Sequence, residues 1–175
     1  MGIRKFDMDN LEKIVKSNNL NWRSLRLMQF GDQGLREFNN QPAIDYFRKW
    51  GAEVISIDIS GAHGSLPIDL SRKIRWDWYK GYFDIVTNFG TAEHVKDDLM
   101  CFNNMLYFCK PNGIMINIAP SDQFTYKYHR RCKRYSVEFF TEWAKTHNCK
   151  VIECRITTKE ERITPWVLAI LQRRN

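Results

Sequence analysis

The sequence predicts an α/β domain: a mostly parallel sheet with helices on both faces. Short β-branched runs alternate with amphipathic stretches along most of the 175 residues, and that alternation calls for parallel strands joined by crossover helices. The central runs are dense in isoleucine and valine, as in strands covered on both sides. No repeat, low-complexity tract or Pro/Gly-rich linker divides the chain, so residues 1–175 read as one domain.

Residues 8–19 place Leu11, Ile14 and Val15 at helical spacing and predict a short helix within an N-terminal segment, 1–22,. Residues 25–30 (LRLMQF) predict a strand running into Gly31-Asp32-Gln33-Gly34, and 36–50 a helix stopped at Gly51,. Strands are expected at 53–58 and 66–70, a helical turn or two over 72–80, and a strand at 83–88. A helix over 97–109, a turn at Pro111-Asn112-Gly113 and a strand at 114–119 follow. Residues 136–147 predict a helix with Ser136 as N-cap, and 150–155 and 165–172 predict two last strands,. Trp76, Trp78, Tyr79 and Tyr82 read as packing residues, with Trp76/Tyr79 and Trp78/Tyr82 sharing helix faces,.

Hydrophobic residues are 43% and aromatic residues 14% of the chain, which excludes disorder as the main state,. No apolar run approaches the roughly 20 residues of a membrane span. The first residues lack the apolar stretch of a signal peptide, and Phe6 excludes a myristoylation site,. Five cysteines without a C-x-x-C pair argue against a disulfide framework or metal site and for a reducing, cytoplasmic location,. The net charge of +7 suits nucleic acid, an anionic membrane or an acidic small substrate without choosing among them,.

In a sheet of this kind ligands bind beyond the carboxyl ends of the strands. The first strand leads into Gly31 and Gly34, glycines that also occur in plain turns,. The second ends at Asp58, about 24 residues beyond that loop, where a carboxylate can accept two hydrogen bonds from a ribose diol,. Asp69-Leu70 follows the third strand, and Asn88-Phe89-Gly90-Thr91-Ala92-Glu93-His94 the fourth.

The segments FGDQG, VISIDIS, PIDL, FDIVTNFGTAEHV and KPNGIMINIAP resemble, in order and spacing, the class I S-adenosylmethionine-dependent methyltransferases. The resemblance covers roughly residues 20–173. It implies a Rossmann-like, doubly wound sheet of about seven strands closing with an antiparallel C-terminal pair, and S-adenosylmethionine as cofactor. It departs in the first motif: Met28 or Gln29 stands where the family has an acid, and only Gly31 and Gly34 remain of its glycines.

By this resemblance Gly31, Asp32, Gln33 and Gly34 line the methionine part of the cofactor. Asp58 takes the ribose hydroxyls with Ile59 against the adenine, Asp69 receives the adenine amino group beside Leu70, and Asn88, Phe89 and Gly90 flank the sulfonium. A base is needed only for an acceptor that holds its proton tightly. The candidates are His94 and His129; His63 reads as a loop residue and His147 as a helix-end residue,.

The loop 120–135 carries five Lys/Arg between 127 and 134, interleaved with tyrosines. It reads either as a solvated basic loop or as an electropositive lid in which Tyr128, Arg130, Arg131, Lys133 and Arg134 bind an anionic acceptor,. The Asn/Asp-Pro-Pro-aromatic run of base-amine methylases and the Pro-Cys of cytosine C5 enzymes are absent, as are the dinucleotide G-x-G-x-x-G and the P-loop motif,. The expected acceptor is therefore a polar or anionic small molecule or glycan. An RNA methyltransferase and a catalytically silent binding subunit remain as alternatives.

Overall fold

The computed structural model describes residues 2–123 and 132–175. The elements run β1 (Gly2–Ile3), α1 (Lys5–Ser17), β2 (Arg26–Phe30), β3 (Gly34–Leu35), β4 (Gln41–Pro42), α2 (Ala43–Lys49), β5 (Glu53–Asp58) and β6 (Leu66–Pro67). Then come β7 (Phe83–Phe89), α3 (Asp98–Phe108), β8 (Cys109–Pro120), α4 (Val137–Thr146), β9 (Cys149–Ile156) and β10 (Trp166–Arg173).

The main sheet has seven strands in the order β6-β5-β2-β7-β8-β10-β9. The first five are mutually parallel, while β10 is antiparallel to both β8 and β9. The chain leaves β2 toward one edge through β5 and β6, then returns to β7 on the other side. The switch point therefore lies between β2 and β7, where such sheets bind ligands.

Two apolar cores flank the sheet. One gathers Leu11, Ile14 and Val15 of α1 with Ile44 and Phe47 of α2. The other gathers Phe102 and Met105 of α3 with Phe140 and Trp143 of α4. Every residue of β7 is buried, as a central strand covered on both faces must be,. Ser136 caps α4 by accepting a hydrogen bond from the Phe139 N–H at 3.1 Å,.

The differences from expectation are local. The helix expected over 36–50 begins only at Ala43. Asn39 and Asn40 take positive φ, and Pro42 fixes the entry to α2,. Gln41–Pro42, so freed, joins Gly34–Leu35 and Gly2–Ile3 in a second small sheet, β1-β3-β4, that pattern reading does not anticipate. The strand expected at 66–70 stops at Pro67, and 72–80 yields only a 3-10 turn at Asp77–Tyr79. The turn expected at 111–113 is an irregularity inside the longer β8, with Asn112 at φ 60°. Trp76, Tyr79 and Tyr82 pack in a chain of aromatic contacts reaching Phe108, but Trp78 projects 91% exposed and shares no face with Tyr82.

Candidate active site

A cleft of about 310 Å³ opens at the carboxyl ends of β5 and β7, lined by Asp58, Ile59, Ile68, Asp69, Leu70, Ser71, Thr91, His94, Val95 and Lys96. Asp58 ends β5 because its carboxylate turns back to bind backbone. Its Oδ1 accepts the Ser60 N–H at 2.8 Å and its Oδ2 the Asp32 N–H at 2.9 Å. Burial opposes its ionisation, yet these hydrogen bonds outweigh burial and hold its carboxyl below the ordinary aspartate range,. Asp69 is likewise held low, by hydrogen bonds from the Ser71 hydroxyl and N–H at 2.7 and 2.9 Å. The cleft thus sets two ionised carboxylates around an apolar patch of Ile59, Ile68 and Leu70.

The first loop is tied to the turn after β7. Gly31 sits at φ 92°, and a Cβ built there would lie 2.1 Å from Thr91 Oγ1. Only glycine fits so close an approach. The Thr91 hydroxyl donates to the Phe30 carbonyl at 2.9 Å and accepts from Gln33 Nε2 at 3.0 Å. Gln29, where the resemblance expects an acid, is buried; its Nε2 donates to the Gly31 carbonyl at 2.8 Å, and its Oε1 has no partner. The Nδ1 of His63 lies 2.7 Å from Asp32 Oδ2, so the residue read as plain loop braces this loop.

Beyond β7 a 3-10 turn, Ala92–His94, presents Glu93 and His94 in opposite environments. The His94 side chain is half exposed and lines the cleft. Glu93 is 2% exposed, and neither carboxyl oxygen has a hydrogen-bond partner. Burial pushes its carboxyl up to about 8, so it is mostly protonated at neutral pH. Its Oε1 is 3.9 Å from His94 Nε2, and Cys132 Sγ is 3.5 Å from His94 Nδ1.

Of the residues read from sequence, the fold brings Asp58, Ile59, Asp69, Leu70 and His94 to one cleft. Asp32 and Gln33 support its rim through Asp58 and Thr91. Gly34 lies in β3, away from the turn that Gly31 makes. Asn88 and Phe89 are buried off the cleft. The Asn88 Oδ1 holds the following turn through the Thr91 and Ala92 N–H groups, and Phe89 packs in the core beneath α1. Gly90 instead donates its N–H to the Ile118 carbonyl. Lys133 is engaged with Asp98 and the Lys96 carbonyl, and Arg134 is exposed. Tyr128, His129, Arg130 and Arg131 lie outside the described residues. Sequence reading gave Thr91 no role, although it stands inside the segment quoted after the fourth strand, and missed Ser71 and Arg162: Ser71 directly follows Asp69-Leu70, whereas Arg162 stands in a polar stretch with no local signal. No group of side chains suited to a metal ion occurs among the described residues, and no described helix is long and apolar enough to cross a membrane.

No protein-family model and no curated protein matches the sequence. Solved structures do match the fold. A geranyl diphosphate C-methyltransferase from Streptomyces coelicolor, solved with Mg2+, geranyl diphosphate and S-adenosylhomocysteine, aligns at TM-score 0.67 and 13% identity over 95% of this chain and 80% of its own. The Burkholderia thailandensis 1,6-didemethyltoxoflavin-N1-methyltransferase, solved with its substrate and S-adenosylhomocysteine, aligns at TM-score 0.66 and 10% identity over 96% and 78%. The [4+2]-cyclase SpnF aligns at TM-score 0.66 and 11% identity over 95% and 80%. With the strand order, the antiparallel closing pair and the cleft at the switch point, these matches establish that the chain has the fold of the class I S-adenosylmethionine-dependent methyltransferases.

Proposed function

We propose that the protein is an S-adenosylmethionine-dependent methyltransferase acting on a small molecule. The observation that carries this reading is the cleft, where Asp58 and Asp69 stand ionised on either side of an apolar patch of Ile59, Ile68 and Leu70. That donor set fits a nucleoside. Asp58 would hold the ribose hydroxyls, Asp69 the adenine amino group, and Ile59 and Leu70 the ring faces. The loop Gly31-Asp32-Gln33-Gly34 would line the amino-acid part. Gln29, with a buried Oε1 lacking a partner, offers a neutral acceptor in place of the family's acid.

The cofactor, when bound, supplies a methyl group already activated on a sulfonium. The chain's own task is to bring an acceptor atom to about 3 Å and align it, a contribution worth about 7–11 kcal/mol. His94, on the cleft wall, is the described side chain placed to take a proton from the acceptor. Lys133 lines an adjoining opening that shares Asp69, Ser71 and Lys96 with the cleft.

The test is a thermal shift of the purified protein with S-adenosylmethionine and S-adenosylhomocysteine, with NAD and ATP as controls. Ligand at about 100 times its Kd adds about 2.7 kcal/mol, which for a domain of this size raises Tm by about 5–10 °C. No shift with either sulfur nucleotide at millimolar concentration refutes the reading. Gln29 at the acid's place favours a second reading, a subunit of this fold that transfers no methyl group. That reading predicts no shift with either sulfur nucleotide from a protein that remains folded.

A further inference from the structure

A second opening lies apart from the cleft. It has a volume of about 450 Å³, runs beside α3 from Met100 to Tyr107, and is also lined by Lys73, Lys80, His147 and Arg173. Lys80 stands just before β7, and Arg173 ends β10, which runs against the parallel strands. Both therefore lie at the amino end of the sheet, opposite the end that carries Asp58 and Asp69. The volume suits a small molecule.

The groups around this opening are held in place. Asn104, 2% exposed, accepts the Ile74 N–H at 3.1 Å and donates its Nδ2 to the Leu70 and Arg72 carbonyls at 3.2 and 2.8 Å. That clamp fixes the backbone on both sides of Lys73. The Arg173 guanidinium donates from Nη1 to the Leu106 and Cys109 carbonyls at 3.1 and 2.6 Å, which orients its plane. These carbonyls close α3, a place that favours a cation. His147 donates its Nδ1–H to the Trp143 carbonyl at 2.8 Å and stacks on the Trp143 ring with centroids 4.2 Å apart. Its Nε2 is the nitrogen left for a ligand.

The charge is one-sided. No carboxylate lines the opening. Lys73, Lys80 and Arg173 join no ion pair among the described residues. Asp77 accepts the Tyr107 hydroxyl at 3.3 Å, and the Arg75 charge also bears on that hydroxyl, so these two offset one another. Three positive charges thus share one space with no anion of the protein to meet them. Buried Ile74 and half-buried Met100 and Leu106 supply an apolar wall. Solvated surface lysines have no such wall and no anchored arginine beside them.

The complement is a compact, multiply charged anion on a small apolar body. A phosphate monoester carries about 1.5–2 negative charges at neutral pH and three strong acceptor oxygens, which lysine and arginine meet with charge-assisted hydrogen bonds. A carboxylate or sulfonate carries one charge. The cleft presents Asp58 and Asp69 and repels such a group. We propose that the opening beside α3 is a second binding site, taking a small phosphate monoester whose body is a ring or short apolar chain. The site does not rest on the methyltransferase reading.

The experiment is calorimetric titration of the full chain at about pH 7.5, where the monoester is close to doubly charged. The probes are phenyl phosphate, inorganic phosphate, which lacks the ring, and benzenesulfonate, which keeps the ring with one charge. The test variant is Lys73→Gln with Lys80→Gln, both exposed positions. The control is Lys16→Gln with Lys49→Gln, exposed lysines of α1 and α2, whose core lies on the other face of the sheet. It makes the same change in net charge. Phenyl phosphate binds wild type and control alike, with Kd of about 1 mM or below, and the test variant at least about tenfold more weakly. Inorganic phosphate and benzenesulfonate bind wild type at least about threefold more weakly than phenyl phosphate. Saturating S-adenosylhomocysteine leaves phenyl phosphate bound. Equal binding of inorganic phosphate or of benzenesulfonate, equal losses in the two variants, or no binding of phenyl phosphate at millimolar concentration overturns the proposal. Displacement by S-adenosylhomocysteine places the ligand in the cleft and also overturns it. Failure of S-adenosylhomocysteine to bind while phenyl phosphate binds as expected counts against the methyltransferase reading alone.

Discussion

Replacing Glu93 by glutamine should change how stability depends on pH. The folded chain holds this carboxyl at about 8 against an ordinary value of 4.5, because burial removes water from it and no hydrogen bond replaces that water. Folding therefore favours the protonated form. Below about pH 4.5 the carboxyl is neutral in both states and carries no penalty. Between about pH 4.5 and 8 the unfolded chain releases the proton and the folded chain keeps it, so stability falls as pH rises. Raising the carboxyl from 4.5 to about 8 corresponds to a loss of about 5 kcal/mol, complete just above pH 8,. Glutamine is neutral throughout and removes the slope. The assay is urea unfolding of both proteins at intervals from about pH 5 to 9, read as the difference between them so that other titrations cancel. The difference in stability (Glu93→Gln minus wild type) should rise by several kcal/mol across that range. A flat difference refutes the reasoning and means that Glu93 is solvated or paired in solution.

Gly31→Ala should destabilise the fold by about 2 kcal/mol or more, from positive φ and collision with Thr91,. Adding Thr91→Ala should recover the collision but not the backbone strain, as chemical denaturation of the single and double variants will show. Asp58→Ala should weaken S-adenosylhomocysteine by about 1–3 kcal/mol in calorimetry; unchanged affinity removes Asp58 from the site. Asp7→Ala should cost about 3–5 kcal/mol because it strands the Arg162 charge in a buried place,. The pair Asp7→Leu with Arg162→Met should restore most of that, and a double variant as unstable as Asp7→Ala would show that the pair itself matters.

Much of the fold is legible in sequence because the central strands are nearly pure pattern. Residues 25–30 and 83–88 are largely buried runs between turn residues and form strands close to their expected bounds, and 114–119 forms the second half of the longer β8. The terminal pair appears equally cleanly, as β9 and β10. The region from Gly31 to Pro42 is not legible, because its structure comes from tertiary pairing. A two-residue strand from the amino end captures Gly34 and Leu35, and two asparagines at positive φ delay α2. The cleft is legible at Asp58, which ends β5, and at Asp69, two residues beyond the end of β6, both therefore at the ligand end of the sheet. Asn88 misleads for a related reason: it also ends a strand, but its side chain is spent on the backbone of the next turn. Arg162 is invisible in sequence, since its importance comes from Asp7, 155 positions away.

The miniature sheet gives the molecule an uneven resistance to opening. β1 and β3 are each two residues long, while β7, buried along its whole length, lies between β2 and β8. Amide exchange follows such differences: short, edge-like pairings open at small free-energy cost, and central strands exchange only on global unfolding. Fraying of β1 frees the root of α1, and with it the helix that carries Asp7 to Arg162. The amino end is thus the region in which local fluctuation reaches the buried Asp7–Arg162 pair first, while the cleft anchored on β5 and β7 stands apart from it.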